Sequence, residues 1–556
     1  MKTKILILLS VAACLPAVAY TPPIGIPNPQ WGTLHPIDAQ PPPEPSSWPG
    51  QPTTNCYYID NTHVLATDTN NPYGFPAKPR ATIPATYASG ARIEVHGGPY
   101  TGSQLIMTFA GTEIAPCWFF GVNHPIIQRE TILKGAYVLF DGFRFNVSRR
   151  NIQMRPHSSS NLHHAVVRNC VFEGSGINDG FAACVAIYGT AGNRFHNIVI
   201  ARNTIRDFGD DDASVENDYH GILCSQETDN VWVLENTVHH MGGDSIQIGT
   251  ASIVDSARVT RIFAGGNVFH DNLENAIDIK EANDIVISGN HCYGFLPADT
   301  LGGVAIVIHN DPSGVWCLYN RVHAAGVGIQ TTGSRSTWFI GNVIYDIHHN
   351  PAESWDPNSA YSSGAAMHMR SSNGGCAYNT LHDYDVGLQL PTGAAGYLVK
   401  GNIFANRVPK GGDDILVPVT SVAAITAIDY NCYTNMAVNH AGRDFMDPAA
   451  MLTSTGKETH GIEVADIRFV DADNRNYSLR QDSPPVNAGP TTETSSFLDD
   501  FRNRFGIDLR MDALAVTRPR GTAWDLGAYE YPGAPVIAPP GSLKVTPIKP
   551  DGALPP

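Results

Sequence analysis

Charge is scarce in this chain. Asp, Glu, Lys and Arg make up only 16% of its 556 residues, and 36 basic residues face 52 acidic ones, a formal net charge of −16. Nucleic acid and anionic membrane surfaces both need a basic footprint, so neither is expected as a partner. A polyanionic substrate would need a local basic patch or bound cations. Internal apolar runs of about 18 residues are missing, so no membrane span is expected. The cysteines form no C-x-x-C pair. Most sit at apolar strand positions, among them Cys224, Cys317 and Cys376, which favours buried free thiols over a disulfide framework. A monomer is expected.

Glycine (52) and proline (40), by contrast, are abundant, and that suits many short strands and turns better than helices. The start, "MKTKILILLSVAACLPAVAY", has Lys2 and Lys4, an apolar stretch, and Ala17-Val18-Ala19 as an A-x-A cleavage site. We expect residues 1–19 to be an export signal and the protein to be secreted or periplasmic. "VAAC" (Val11–Cys14) resembles the bacterial lipoprotein signal, a second route that would lipidate Cys14. Loss of Lys2 and Lys4 would take the net charge from −16 to −18. Thr21–Pro52 holds 11 prolines, so 20–54 is expected to be an extended linker; 532–556 holds 8 more and is expected to be a similar tail.

Between them one pattern recurs: a short apolar strand, then Asn, then one residue, then usually an apolar residue. It runs from "VVRNCVF" (Asn169) through Asn203, Asn236, Asn267, Asn290, Asn320, Asn342, Asn379 and Asn402 to "IDYNCYT" (Asn431). The intervals are 34, 33, 31, 23, 30, 22, 37, 23 and 29 residues, as for a unit of 22 to 23 with inserted loops. A coil of that length with three short strands and Asn at a fixed bend predicts an all-β chain, a right-handed parallel β-helix of about ten or more coils over 55–440. Asn tolerates the left-handed bend, and stacked amides can bond along the axis as an Asn ladder. A leucine-rich repeat would need a leucine spacing that is absent.

Aligning the coils puts Ile277-Asp278-Ile279-Lys280 in register with, among others, Ile246-Gln247-Ile248-Gly249, Ile306-Val307-Ile308-His309, Ile329-Gln330-Thr331-Thr332 and Met367-His368-Met369-Arg370. Alternation sends the first and third members inward. The second and fourth members, with a column of small residues (Cys184, Gly221, Ser245, Ala276, Ala305, Gly328, Ala366, Gly387), are expected to line a shallow groove suited to an extended polymer. Lys280 lies mid-groove, with His309 one coil away at about 5 Å. Asp244, Glu274 and Asp278 offer hard oxygens from adjacent coils, enough to hold Ca²⁺. Such an ion would neutralise a uronate carboxylate and acidify the neighbouring proton. Lys280, held among cations, would serve as base, with His309 as its nearer partner. His220, preceded by Tyr219, is a second candidate base at the groove edge. Gln247, Gln330, His368, Arg370 and Tyr219 are the expected substrate-binding residues, and Arg149, Arg150 and Arg155 could grip acidic groups beyond one end. The bland alternatives are a solvated Asp278–Lys280 ion pair and, for "GDDDASVEND" (Gly209–Asp218), a solvated acidic loop.

The stacked coils, the exposed-strand Lys280 and the acidic residues of adjacent coils resemble the β-helical polysaccharide lyases, both the chondroitinase B/alginate lyase family and the calcium-binding pectate lyases. The resemblance implies calcium-assisted β-elimination of an acidic polysaccharide with Lys280 as base. His309 stands where the chondroitinase B pattern has an Arg acid. "DIRFVDADNRNYSLRQDSPPVNAG" (Asp466–Gly489) with "DLGAYEY" (Asp525–Tyr531) is similar to the choice-of-anchor Q module, which implies a β-rich closing module over 441–531. "DNTHVLATDTNNPYGFPAKPRATIP" (Asp60–Pro84) resembles the first coil of such proteins. Three competitors stay open. One is a glycoside hydrolase using paired carboxylates, Asp278 with Asp244 or members of Asp210–Asp212, although the N-T-D motif that accompanies the polygalacturonase pair is missing. The others are a non-catalytic carbohydrate-binding surface protein and an epimerase.

Overall fold

A computed structural model describes residues 20–31, 34–155, 162–174, 182–190, 192–210, 218–251, 254–296, 303–349, 364–391, 396–408 and 412–533. The expected signal segment, most of the proline tail, Asp211, Asp212 and Glu216, and most of the 346–362 loop lie outside these residues. The chain divides into two compact units, the described residues up to Val268 and those from Phe269 onward. Each is a stretch of right-handed parallel β-helix.

In the first unit one row of parallel strands comprises Ile152–Met154, Ala182–Ile187, Tyr219–Cys224 and Ile246–Ile248. A second row contains His163–Arg168, Phe195–Ala201, Thr228–Leu234 and Val259–Gly265. A third contains Arg144–Asn146, Val171–Glu173, Thr204–Phe208 and Thr237–Met241. The second unit repeats the three rows. Its first row is Ile277–Lys280, Val304–His309, Val327–Ser334, Ala365–Ser371 and Val386–Gln389. Ile152, Val185, Ile222 and Ile246 in one unit, and Ile277, Ile306, Ile329 and Met367 in the other, are fully buried. Each such side chain contributes about 1.5–3 kcal/mol of burial, so the aliphatic stack fixes the register.

The Asn ladder is present, with a shifted start and a different bend residue. Asn203 donates from backbone and amide to Asn236 Oδ1 at 3.0 and 2.9 Å, and Asn236 does the same to Asn267. In the second unit the chain of amides runs from Asn290 through Asn320, Asn342, Asn379 and Asn402 to Asn431. The left-handed residue is the one before the Asn: Arg202 (φ 55°), Glu235 (55°), Tyr319 (53°), Tyr378 (57°) and Tyr430 (60°). Asn is therefore retained for its amide, not for its tolerance of the bend. Asn169 is itself left-handed (φ 52°) and aligns with Arg202, so Cys170 holds the ladder position, and its N–H donates to Asn203 Oδ1.

The proline-rich start is extended but is not a free linker. Trp31 and Trp48 are buried, Arg168 donates to the carbonyls of Pro36 and Ile37 at 2.8 Å, and Trp232 Nε1 donates to Pro27 O. A proline-rich strand leaves its carbonyls without internal partners, so these donors pin it to the first unit. The segment after 441 also departs from expectation. It adds one short strand beside Cys432–Tyr433, then forms two helices, α1 (Pro448–Thr455) and α2 (Ser496–Phe505), and an antiparallel hairpin. α2 sets Phe497 against Trp338 and Phe501 against Trp316, so this segment covers outward-facing indoles along the side of the second unit. The "DLGAYEY" stretch buries Leu526 and Ala528. Gly527 (φ 82°) donates to Gly401 O at 2.7 Å, and a Cβ there would lie 2.5 Å from Ile403. The nine cysteines after Cys14 are free thiols. Among the described residues no helix is long and apolar enough to cross a membrane.

Candidate active site

The strand Ile277–Lys280 pairs in parallel with Val304–His309, which sets Asp278 beside Val307 and Lys280 beside His309. With Ile277 and Ile279 sealed inside, alternation turns Asp278 and Lys280 outward. Lys280 Nζ lies 2.7 Å from Asp278 Oδ2, and His309 Nε2 lies 2.7 Å from Asp278 Oδ1. The carboxylate is nearly buried (5% exposed), while the amine (22%) and the imidazole (29%) keep a solvent face. Burial alone would raise the Asp278 carboxyl. The hydrogen bond and charge of His309, joined by Lys280, outweigh it and hold the group below its ordinary value.

That ionised state settles the orientation of His309. A carboxylate only accepts, so the Nε2 N–H donates to Asp278 and Nδ1 is the ring nitrogen on the far side. A buried acid thus orients one imidazole and seats one ammonium on adjacent coils. The sequence found all three residues but set Lys280 among cations; its partner is the Asp278 carboxylate.

Asp278 does not fit as a calcium ligand, because both of its oxygens already hold cationic or N–H partners. Of the other two expected ligands, Asp244 is buried in the first unit and Glu274 in the second. No step below is routed through calcium. In the first unit His220 Nδ1 accepts the Asp244 backbone N–H at 3.1 Å, and the Asp244 carboxylate lies 3.2 Å from the same nitrogen. His220 and Tyr219 are each 1% exposed, so neither stands at an open groove edge.

Several residues expected to face a groove have little exposed surface. The expected binding residues Gln247, Gln330 and His368 are buried, and burial lowers the His368 imidazole to about 4. Gln247 Nε2 donates to Gly249 O at 3.2 Å. Arg370 is exposed. Arg155 pairs with Glu130 at 2.9 Å. The column of small residues faces the interior corner, not the groove. A Cβ on Gly328 would lie 2.8 Å from Ile344, and one on Gly387 would lie 2.8 Å from Phe404, both core side chains. Only small residues fit at these positions of the first-row strands.

Sequence reasoning missed a second group of titratable side chains in the second unit. Asp346, His348, Asp383 and Asp385 meet at the C-terminal ends of the strands Val343–Ile347 and Thr380–Tyr384. The available signal was an Asp at the same offset in consecutive coils, "VIYDIHH" and "TLHDYD".

No family model matches the chain, and no curated protein matches it. Among solved structures it is similar to a mannuronic acid specific polysaccharide family 6 lyase from human gut microbiota, at 14% identity and a TM-score of 0.40 over 70% of this chain and 88% of that one. A PL6 alginate lyase in complex with a trisaccharide aligns at 10% identity and a TM-score of 0.36, covering 71% and 91%. Pectate lyase Pel9A aligns at 13% and 0.35, covering 85% and 96%. Likeness at this level is one of fold alone.

Proposed function

We propose that this protein cleaves a uronate-containing polysaccharide by β-elimination at Asp278, Lys280 and His309. One observation carries the reading: a buried, ionised carboxylate with an imidazole on one oxygen and an amine on the other, both at 2.7 Å, and both with an open face. The pairing with Asp278 keeps positive charge on Lys280, so the roles differ from the family expectation. His309 Nδ1 takes the proton from C5 of the uronate. The electron pair forms the C4–C5 double bond, the C4–O4 bond breaks, and the departing oxygen takes a proton from the Lys280 ammonium. The same ammonium offsets charge that builds on the uronate carboxylate as C5 loses its proton. Solvent at the two open faces resets them: Nδ1 gives its proton to water and the Lys280 amine takes one back, while Asp278 holds both groups in place.

The test is incubation with a panel of uronate polymers while the ultraviolet absorbance of the unsaturated product is followed. Rising absorbance that is lost in His309→Ala and Lys280→Ala supports the proposal. New reducing ends without absorbance would favour hydrolysis, and the absence of both would favour a binding role.

A further inference from the structure

The C-terminal ends of the strands Val343–Ile347 and Thr380–Tyr384 bring together side chains that no step above uses. Tyr345 pairs with His382 across adjacent coils, so Asp346 and Asp383 occupy equivalent bends, each with φ 58°. Asp tolerates the left-handed region, and turn chemistry accounts for both aspartates. It does not account for the imidazole between them. His348 Nε2 lies 3.6 Å from Asp346 Oδ1 and 3.5 Å from Asp383 Oδ1. Its other nitrogen, Nδ1, lies 3.2 Å from Asp385 Oδ1. Asp385 Oδ2 in turn accepts the His349 backbone N–H at 2.7 Å and lies 3.0 Å from His349 Nδ1. One ligand atom from each of Asp346, His348 and Asp383 lies within 4.8 Å of the others.

The separations decide between readings. Contacts of 3.5–3.6 Å are too long for good hydrogen bonds. Atoms bound to one ion at about 2.1 Å in tetrahedral geometry stand about 3.4 Å apart, close to what is seen. Asp385 fills the position that orients a metal-bound imidazole: it accepts from Nδ1 and so turns Nε2 toward the two aspartates. Two carboxylates facing Nε2 call for positive charge between them, and the separations fit a metal ion better than a hydrogen-bonded ring proton.

We propose that Asp346, His348 and Asp383 bind a divalent transition cation of the zinc class, with Asp385 as a positioning residue. One imidazole and two carboxylates are zinc-type donors, whereas calcium takes six to eight oxygens. Three protein ligands leave a fourth position for water or a ligand oxygen. The inference does not depend on the elimination reading.

The full-length protein, stripped with chelator and dialysed, is titrated with Zn²⁺ alone, and bound metal is measured by elemental analysis. One equivalent is expected in the wild type. His348→Ala and Asp383→Asn should each weaken it by at least about tenfold, and Asp385→Asn by about 10–100-fold. His460→Ala, which alters a separate exposed His–Asp pair, should bind as the wild type does. Thermal unfolding of each variant verifies that it is folded. No zinc bound by the wild type, undiminished binding in His348→Ala and Asp383→Asn, or full displacement of zinc by equimolar Ca²⁺ would each overturn the proposal. The first result would mean that a proton on Nε2 occupies the site instead.

Discussion

The first-row strands of the two units share a backbone pattern and differ in what they show to solvent. In the first unit the outward positions carry Ala186 and Leu223, which pack with Ala183 and Tyr188 into an apolar cluster. The ionisable pair there, His220 and Asp244, is sealed. In the second unit the same positions carry Asp278, Lys280 and His309, a buried acid joined to two half-open basic groups. A shared coil therefore supplies register and spacing, and exposure of the polar atoms decides whether they can do chemistry or only hold the structure together.

Substitutions should separate these two uses of the same row. The largest effect is expected at His309. His309→Ala should lower the rate of product formation on a uronate polymer by about 10²–10⁴-fold with little change in Tm, because it deletes a proton acceptor with an exposed face. Second comes the ladder. Asn342→Ala leaves the Asn320 N–H, the Asn320 amide and the Cys317 carbonyl without their present partners. Buried orphans cost about 1–3 kcal/mol each, so a destabilisation of about 3 kcal/mol or more is expected in chemical unfolding. Third, His220→Leu in the first unit orphans the Asp244 N–H and should cost about 1–3 kcal/mol while leaving the elimination rate within about twofold. Loss of activity there without loss of stability would break the comparison.

The smallest effect concerns the ladder's end. Glu458 accepts from the Asn431 amide at 2.7 Å and from the Tyr433 hydroxyl at 2.5 Å. Burial pushes its carboxyl up to about 7, against those hydrogen bonds. A raised folded-state value means that the contribution to stability is complete below the ordinary value near 4.3 and is lost as pH rises through about 7. Hydrogen exchange at Asn431–Tyr433 should therefore show more opening above neutral pH than below it, after correction for intrinsic rates. Glu458→Gln should flatten that dependence.

Much of the coil was legible because its signals are local. Ile277-Asp278-Ile279-Lys280 alternates as a half-buried strand must, and Asn recurs where a buried amide can bond above and below. What was not legible depends on three-dimensional closure. Asp278 and His309 are 31 residues apart, and only stacking shows that one carboxylate serves both His309 and Lys280. Gly328 and Gly387 follow the alternation of outward residues, yet a Cβ on either would meet the core side chains Ile344 and Phe404. The Asn169 segment matches the repeat in letters but not in register, since a left-handed residue must precede the ladder position. The proline-rich start was read from composition, which reports extension and not the carbonyls that Arg168 and Trp232 capture.

One assay bears most directly on the claim that Asp278 orients His309 for proton removal. Wild-type protein and His309→Ala, matched for folded content, are each given an acidic polysaccharide, and unsaturated product is followed by ultraviolet absorbance alongside new reducing ends. The account predicts product from the wild type, with absorbance and reducing ends rising together, and almost none from the variant. Equal absorbance from both proteins, or reducing ends without absorbance, would contradict it.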